Sequence, residues 1–423
     1  MDASVENVLK KIGLEFDSEI GIYVHKKTMI PITVFYNESK DELICLDQTK
    51  LPYEMTTWKT RNWKVGADLG IKGMVIRGSQ AIGAAGAYCM VLAAKESAVD
   101  KAGFISKLGN CAKIIGSARP TAAPLPWAVN MALNAAKKAY NDTKDVDAAV
   151  VATRNVADYV LVSDLILNWY LRQEGKKYLQ TGDRIITHCN GGSLSSTYGG
   201  HALGLIEEAY VEGINLTVIA KETRPRSQGY KLTVWELNRA GVPVLIITDN
   251  MISISVERLG ITKAILGVDR VAKNGDVFNK VGSADLARVM RDYGLPFYYA
   301  TSYSTVDLRA ETSADIQIEE RSIDEVTYPY HLEALEKRRQ GILSKRSLVE
   351  WPPKNILVHG KMPGKREASI FNPAFDVTPA HLITKIITDI GSFKPNQIKT
   401  LTNNKIERLV GEKLNYWGIH API

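Results

Sequence analysis

Four cysteines in 423 residues, Cys45, Cys89, Cys111 and Cys189, share no CxxC or CxxH spacing. Their scarcity and spacing exclude a zinc-ligand pattern or a disulfide framework and point to reduced thiols in a cytoplasmic protein. No apolar run approaches the ~18 residues needed to span a bilayer. The opening stretch MDASVENVLKKIGLEF also lacks the basic start and apolar run of a signal peptide. Neither GxxxxGK[ST] nor GxGxxG occurs, which speaks against a nucleoside triphosphate or dinucleotide site. Neither sign of charge dominates: 53 Lys and Arg oppose 46 Asp and Glu, a net of +7. That balance admits anionic small molecules without the footprint of a nucleic-acid binder.

What is present is a folded chain with 45% hydrophobic and 23% charged residues, long enough for two domains. Five apolar runs, RIITHC, LTVIAKE, PVLIITD, KAILGVD and PFYYATS, alternate with helical patterns between residues 184 and 301. They are rich in Val, Ile and Leu without strict polar alternation, as parallel strands covered on both faces are. The reading is an α/β fold: a Rossmann-like, doubly wound parallel sheet domain. Helices are expected over LSSTYGGHALGLIEEAYVEG, YKLTVWELNRAG and SADLARVMRDYG, each stopped by glycine. Another is expected over TPAHLITKIITDIG, with Thr378 as cap and Pro379 in the first turn. Residues 80 to 175 read as long alanine-rich helices, and the segment before them as antiparallel strands. A smaller, mixed and mainly helical N-terminal domain (1–177) therefore precedes the Rossmann-like domain (178–423), which carries a basic, solvated insertion near 331–368.

In an open parallel sheet, ligands sit beyond the carboxyl ends of the strands. Here those ends read Cys189-Asn190, Glu222-Thr223-Arg224, Asp249-Asn250, Asp269-Arg270 and Thr301-Ser302. Asp249 serves equally well as a turn former or helix cap. Cys89 and Cys111 lie in apolar helical runs and read as core, and Cys45 as strand filler. Cys189 opens a glycine- and serine-rich turn, where helix-initiating N–H groups would stabilise a thiolate. His188 precedes it on the strand and so points to the opposite face, which argues against a Cys-His dyad. Anion binding is the second theme. Arg77 and Gly78 precede a glycine- and alanine-rich helix start, Arg119 sits in the turn ARPTAAP, and Asn279 and Lys280 lie ahead of another helix.

Nine ordered blocks, among them IRGSQAIG (76–83), RPTA (119–122), THCNGGSL (187–194), ETRPRSQG (222–229), GVDRVAKNGDVFNKVG (267–282) and FNPAFDVTP (371–379), resemble the methylthioribose-1-phosphate isomerase family. Grouped with that family are ribose-1,5-bisphosphate isomerases and the regulatory subunits of translation initiation factor 2B. The resemblance implies that Cys189 and Asp269 are a catalytic pair and that Arg77, Gly78, Ser79, Arg119, Gln228, Asn279 and Lys280 contact substrate. It implies no metal and no cofactor, a sugar-phosphate substrate within methionine salvage, and a homodimer. Ser79 and Gln80 stand where Ala-Pro is usual, and Gly191-Gly192-Ser193 replaces a more alanine-rich run.

An aldose 1-phosphate cannot open to a free aldehyde, because its anomeric oxygen is esterified. A general acid must help break the ring C1–O4 bond, a role that falls to Asp269 if burial keeps it protonated. Cys189 would then assist transfer of the C2 hydrogen to C1, or shape an apolar site for a hydride shift. Ribose-1,5-bisphosphate isomerisation is the alternative activity. A non-catalytic regulatory subunit is disfavoured by the presence of both Cys189 and Asp269.

Overall fold

The computed structural model describes residues 3–119, 122–344 and 370–422. The chain begins with α1 (Ala3–Lys11) and a ribbon of β1 (Leu14–Asp17) and β2 (Ile22–His25). A three-stranded antiparallel sheet follows, made of β3 (Val34–Asn37), β4 (Glu42–Leu46) and β5 (Thr57–Thr60). The short α2 (Trp63–Val65), capped by the Asn62 side chain, leads into α3 (Ser79–Ser97), α4 (Phe104–Gly116), α5 (Pro124–Thr143) and α6 (Val146–Gly175). Small residues make α3 the axis of this helical block. Sixteen of its nineteen residues are buried. A Cβ on Gly86 would lie 2.3 Å from Leu125 Cδ1 of α5, so the helices close to a distance that only glycine permits.

The second half continues with β6 (Arg184–Thr187), α7 (Ala202–Val211), β7 (Thr217–Lys221), α8 (Val234–Arg239), β8 (Val244–Ile247), α9 (Ile252–Leu259) and β9 (Lys263–Leu266). After β10 (Arg270–Ala272), β11 (Val277–Lys280), α10 (Ser283–Asp292), β12 (Phe297–Thr301), β13 (Val306–Asp307) and α11 (Asp324–Arg339) come β14 (Phe375–Thr378), β15 (Lys385–Thr388), β16 (Gly391–Phe393) and α12 (Asn403–Tyr416). All five apolar runs are strands of one seven-stranded sheet, in the order β16-β15-β12-β9-β6-β7-β8, parallel except for β16. Consecutive residues such as Ile185 and Ile186, or Ile265 and Leu266, are fully buried, because helices or loops cover both faces. The chain moves outward from β6 through β7 to β8. It then returns to β9 on the other side of β6, and strand order reverses there. The crevice of a doubly wound sheet opens at that reversal.

Two expectations fail. TPAHLITKIITDIG is not a helix: a 3₁₀ turn at Ala380–Leu382 leads into β15, which lies between β12 and β16. Its paired isoleucines fit helical spacing, yet Ile386 and Ile387 are both buried because β15 is covered on both faces. The helix expected from Leu194 starts only at Ala202, after a 3₁₀ turn (Ser193–Ser195) and a glycine-rich loop. Of the basic stretch, residues 331–339 belong to α11, where Lys337 pairs with Glu333 and Arg339 with Glu336. Residues 345–368 of it lie outside the described residues. A smaller sheet, β13-β10-β11-β14, stands beside the crevice and carries Lys280 at the end of β11.

Candidate functional site

The loops that leave β6 and β9 meet at the strand-order reversal. A Cβ on Gly191 would lie 2.8 Å from Gly267 Cα, so the two backbones touch where Cys189 and Asp269 project. The N-terminus of α3 arrives from the helical block. Gly78 caps it without a side-chain bond, and a Cβ there would fall 2.4 Å from the Ser195 backbone. Any larger residue would push the helix start away from the Cys189 loop.

These elements enclose a cavity of about 190 Å³. Its wall contains all nine residues singled out above: Cys189, Asp269, Arg77, Gly78, Ser79, Arg119, Gln228, Asn279 and Lys280. Arg77, Gly78, Ser79 and Arg119 come from the helical block and the others from the sheet domain. Pro120 and Thr121 of the RPTA block lie outside the described residues. The wall also holds Asn190, His201, Arg226 and Arg321, which the sequence reading did not single out as site residues. Arg226 sits in a quoted block, ETRPRSQG. Arg321 is brought in by a loop before α11 and leaves no local signal.

The cavity is strongly cationic, and its cations are unequally satisfied. Arg321 pairs with Glu319 and Glu325, and Arg226 with Glu325. Among the described residues no carboxylate lies within ion-pair distance of Arg77, Arg119 or Lys280. Arg77 Nε and Arg119 Nη1 are buried without a hydrogen-bond partner. Burial lowers the Arg77 pKa to about 10, which leaves it charged at neutral pH, and burial also lowers that of Arg119. Lys280 Nζ donates to Ala374 O at 2.7 Å and lies over the Phe375 ring. Orphaned guanidinium donors facing one small cavity suit an anion with several oxygens.

Cys189 sits in the left-handed region at φ +67°. Its peptide is held from both sides: its N–H donates to Thr223 Oγ1 (2.8 Å), and its carbonyl accepts from Thr233 Oγ1 (2.6 Å). Gln228 Nε2 approaches the sulfur at 3.4 Å. The thiolate expected at this turn is not favoured. The next α-helix along the chain begins only at Ala202, and burial, joined by the Asp269 charge, pushes the Cys189 pKa up. Asp269 faces the open space of the cavity, yet the surrounding protein lifts its pKa to about 6 against the opposing pull of Lys280 and Arg77. The pair at neutral pH is therefore an intact thiol beside a carboxyl that retains part of its proton.

The remaining strand-end residues support these. Asp249 accepts from the N–H groups of Thr223 (3.0 Å) and Arg224 (2.6 Å), so it acts as a loop former rather than a cavity residue. His188 turns away, with Nε2 on Val281 O at 2.9 Å and Nδ1 near Thr223 Oγ1. Ser302 and the Tyr303 N–H bond Asp389. Cys45 and Cys89 are core residues, and Cys111 packs against the core from a partly buried position. Among the described residues no cluster of three His, Cys, Asp or Glu is arranged to hold a metal ion, and no helix is long and apolar enough to cross a membrane.

The same fold occurs in solved proteins. A 5-methylthioribose 1-phosphate isomerase from Pyrococcus horikoshii matches with a TM-score of 0.73 and 29% identity, over 90% of this chain and 96% of that one. Subunit delta of the translation initiation factor eIF-2B from A. fulgidus matches at 0.71 and 32%, over 90% and 99%. Among sequences, the methylthioribose-1-phosphate isomerase of Desulforudis audaxviator is 37% identical over 86% of this chain and 95% of its own length. That of Thermosipho melanesiensis is 38% identical over 84% and 93%. The pattern describing the Initiation factor 2 subunit family matches residues 75–395, a span that takes in all of the cavity wall except Met74. On that match, and on more than a third identity over nearly the full length of these relatives, the chain belongs to the Initiation factor 2 subunit family.

Proposed function

We propose that this chain is an aldose-ketose isomerase that converts 5-methylthioribose 1-phosphate to 5-methylthioribulose 1-phosphate, a step of methionine salvage. One observation carries the reading: Cys189 and Asp269 share a small cavity with arginines whose buried donors lack partners. Arg77, Arg119 and Lys280 hold the phosphate, with Gly78 and Ser79 offering the open N-terminus of α3. Gln228 and Asn279 face the sugar. Residues 1–177 then contribute one side of the cleft, and residues 178–423 the reacting pair.

Asp269 gives its proton to the ring oxygen as the C1–O4 bond breaks, leaving a phosphorylated oxocarbenium at C1. The intact Cys189 thiol favours direct hydride transfer from C2 to C1 over abstraction by a thiolate. The C2 hydroxyl proton returns to the Asp269 carboxylate, so the acid is regenerated as the ketone forms.

The substituent at C5 is the point that separates this reading from ribose 1,5-bisphosphate. A neighbouring cavity of about 270 Å³ shares Gln80 with the site and is lined by Gly83, Ala123, Pro124, Trp127, Val160, Leu167 and Tyr303, with Asp164 as its charged residue. It suits an apolar group and repels a second phosphate. A larger recess beyond Ser79 and Asp269 holds Arg270, Lys273, Arg309 and Lys399, of which the first three already pair with Asp307 and Glu311.

Free thiols throughout accord with a cytoplasmic enzyme. A homodimer is supported by exposed apolar residues on edge strand β8 and the adjoining α9, namely Leu245, Ile246, Met251 and Ile254. The purified protein should form ketose from 5-methylthioribose 1-phosphate much faster than from ribose 1,5-bisphosphate. Turnover of neither sugar would refute the enzyme reading, and preference for the bisphosphate would refute the substrate.

A further inference from the structure

Behind the Cys189 loop lies a buried carboxylate that touches no open space of the cavity. Glu236, on α8, is fully buried. Its Oε1 accepts from Asn190 Nδ2 at 2.7 Å and from the Leu194 N–H at 3.4 Å. Gly192 leaves room for it, since a Cβ there would stand 2.4 Å from Oε2. A charged group in the core is costly unless it has a purpose that its hydrogen bonds reveal.

The Asn190 amide reveals it. Its Nδ2 has a second partner, Thr233 Oγ1, at 3.3 Å. That hydroxyl spends its own hydrogen on Cys189 O and is left as an acceptor. Burial lifts the Glu236 carboxyl to about 7, but its Oε1 is likewise an acceptor whether or not the unpartnered Oε2 carries a proton. Two acceptors on one side fix the NH₂ group towards α8, and the amide oxygen must then face the other way. There it meets Arg77 Nη2 at 3.4 Å. Reversing the amide would bring N–H against guanidinium.

We propose that Glu236 is a positioning residue for the substrate-binding Arg77, acting through the Asn190 amide. The carboxylate selects one of two amide orientations, and that orientation gives Arg77 an acceptor that holds its guanidinium against the cavity without neutralising it. A direct carboxylate partner would hold the arginine equally well but would compete with the phosphate for it. A neutral amide between the two charges avoids that competition. The effect of Arg77 on Glu236 runs in the matching direction, since the guanidinium opposes the rise that burial imposes on the carboxyl.

This inference rests on the reading of Arg77 as a phosphate contact, and the test separates the two. Affinity for ribose 1-phosphate is measured by calorimetry, and turnover of 5-methylthioribose 1-phosphate is measured beside it. Glu236→Leu removes the acceptor that holds the Asn190 NH₂ group and permits the reversed amide. Affinity and KM should weaken by about tenfold, the size of one charge-assisted contact, while kcat changes far less. Asn190→Leu, similar in size, should give the same loss. In the Asn190→Leu background, Glu236→Leu should have no further effect, because the connection is already cut. Unchanged affinity in either single variant, or losses that multiply in the double variant, would overturn the proposal. If Glu236→Leu does not fold, Asn190→Leu decides alone. Ribose 1-phosphate binding without turnover by the wild type would refute the isomerase reading while leaving the relay to be judged on affinity. Absence of binding would overturn both.

Discussion

Raising the pH from 5 to 8 should slow the wild-type reaction through the loss of one proton from Asp269. Burial holds that carboxyl at about 6, above its ordinary 3.8, so the protonated form is present below pH 6 and is lost as pH rises through that value. At pH 7 roughly a tenth of the molecules keep the proton, against fewer than about one in a thousand for an unperturbed aspartate. The fold therefore enlarges the pool of competent acid by about two orders of magnitude. The assay is a pair of pH profiles. kcat/KM, which reports the free enzyme, should fall about tenfold per unit above pH 6. kcat should fall at higher pH, because a bound phosphate adds negative charge to the same cavity and raises the carboxyl further. The second ionisation of the substrate phosphate is followed separately by phosphorus NMR. Asp269→Asn should remain folded, bind the sugar and lose about 10²- to 10⁴-fold in rate. A variant near wild-type rate, or a limb that tracks the substrate's own ionisation and survives in the Asn variant, would refute the assignment.

Deuterium placed at C2 of the sugar should be retained at C1 of the product in ordinary water, as a direct transfer requires; washout would establish a proton route through Cys189. Cys189→Ser should remain folded and still lose most activity, which single-turnover kinetics would check. Gly78→Ala introduces a methyl 2.4 Å from the Ser195 backbone. It should displace the α3 start by about 1 Å and cost about a hundredfold in kcat/KM, with a smaller drop in melting temperature. If the proposed dimer forms through β8, Ile246→Lys on that edge strand should give a monomer by light scattering, whereas deletion of residues 345–368 should leave a dimer.

The parallel sheet is legible in the sequence because burial on both faces writes uninterrupted Val, Ile and Leu runs, as in RIIT and KAIL. The same property hides β15. Leu382, Ile383, Ile386, Ile387 and Ile390 satisfy a helical period as well as a doubly covered strand does, and Thr-Pro ahead of them imitates a cap. Cys189 and Asp269 stand out because polar residues at strand ends are conspicuous. The charge state of the thiol does not, since it depends on how much protein surrounds the sulfur and on a carboxylate 80 positions away. Glu236 and Arg321 are invisible for a related reason. One lies in an ordinary helical pattern and the other in a charged loop, and only the folded path of the chain brings them to Asn190 and to the cavity.

Gly191 and Gly267 meet backbone to backbone between the loops that bear Cys189 and Asp269. The spacing of the two loops is consequently set by main chain, which has no rotamers to sample. Heating or cooling the protein changes side-chain disorder at most interfaces, but here there is none to change. The two loops are thus in register before any sugar arrives, and substrate binding has the Cys189 and Asp269 side chains and the cationic side of the cleft left to organise. Inheritance feels the same constraint. A methyl at either glycine spreads both loops at once, so neither half of the pair can be refined by altering its own loop alone.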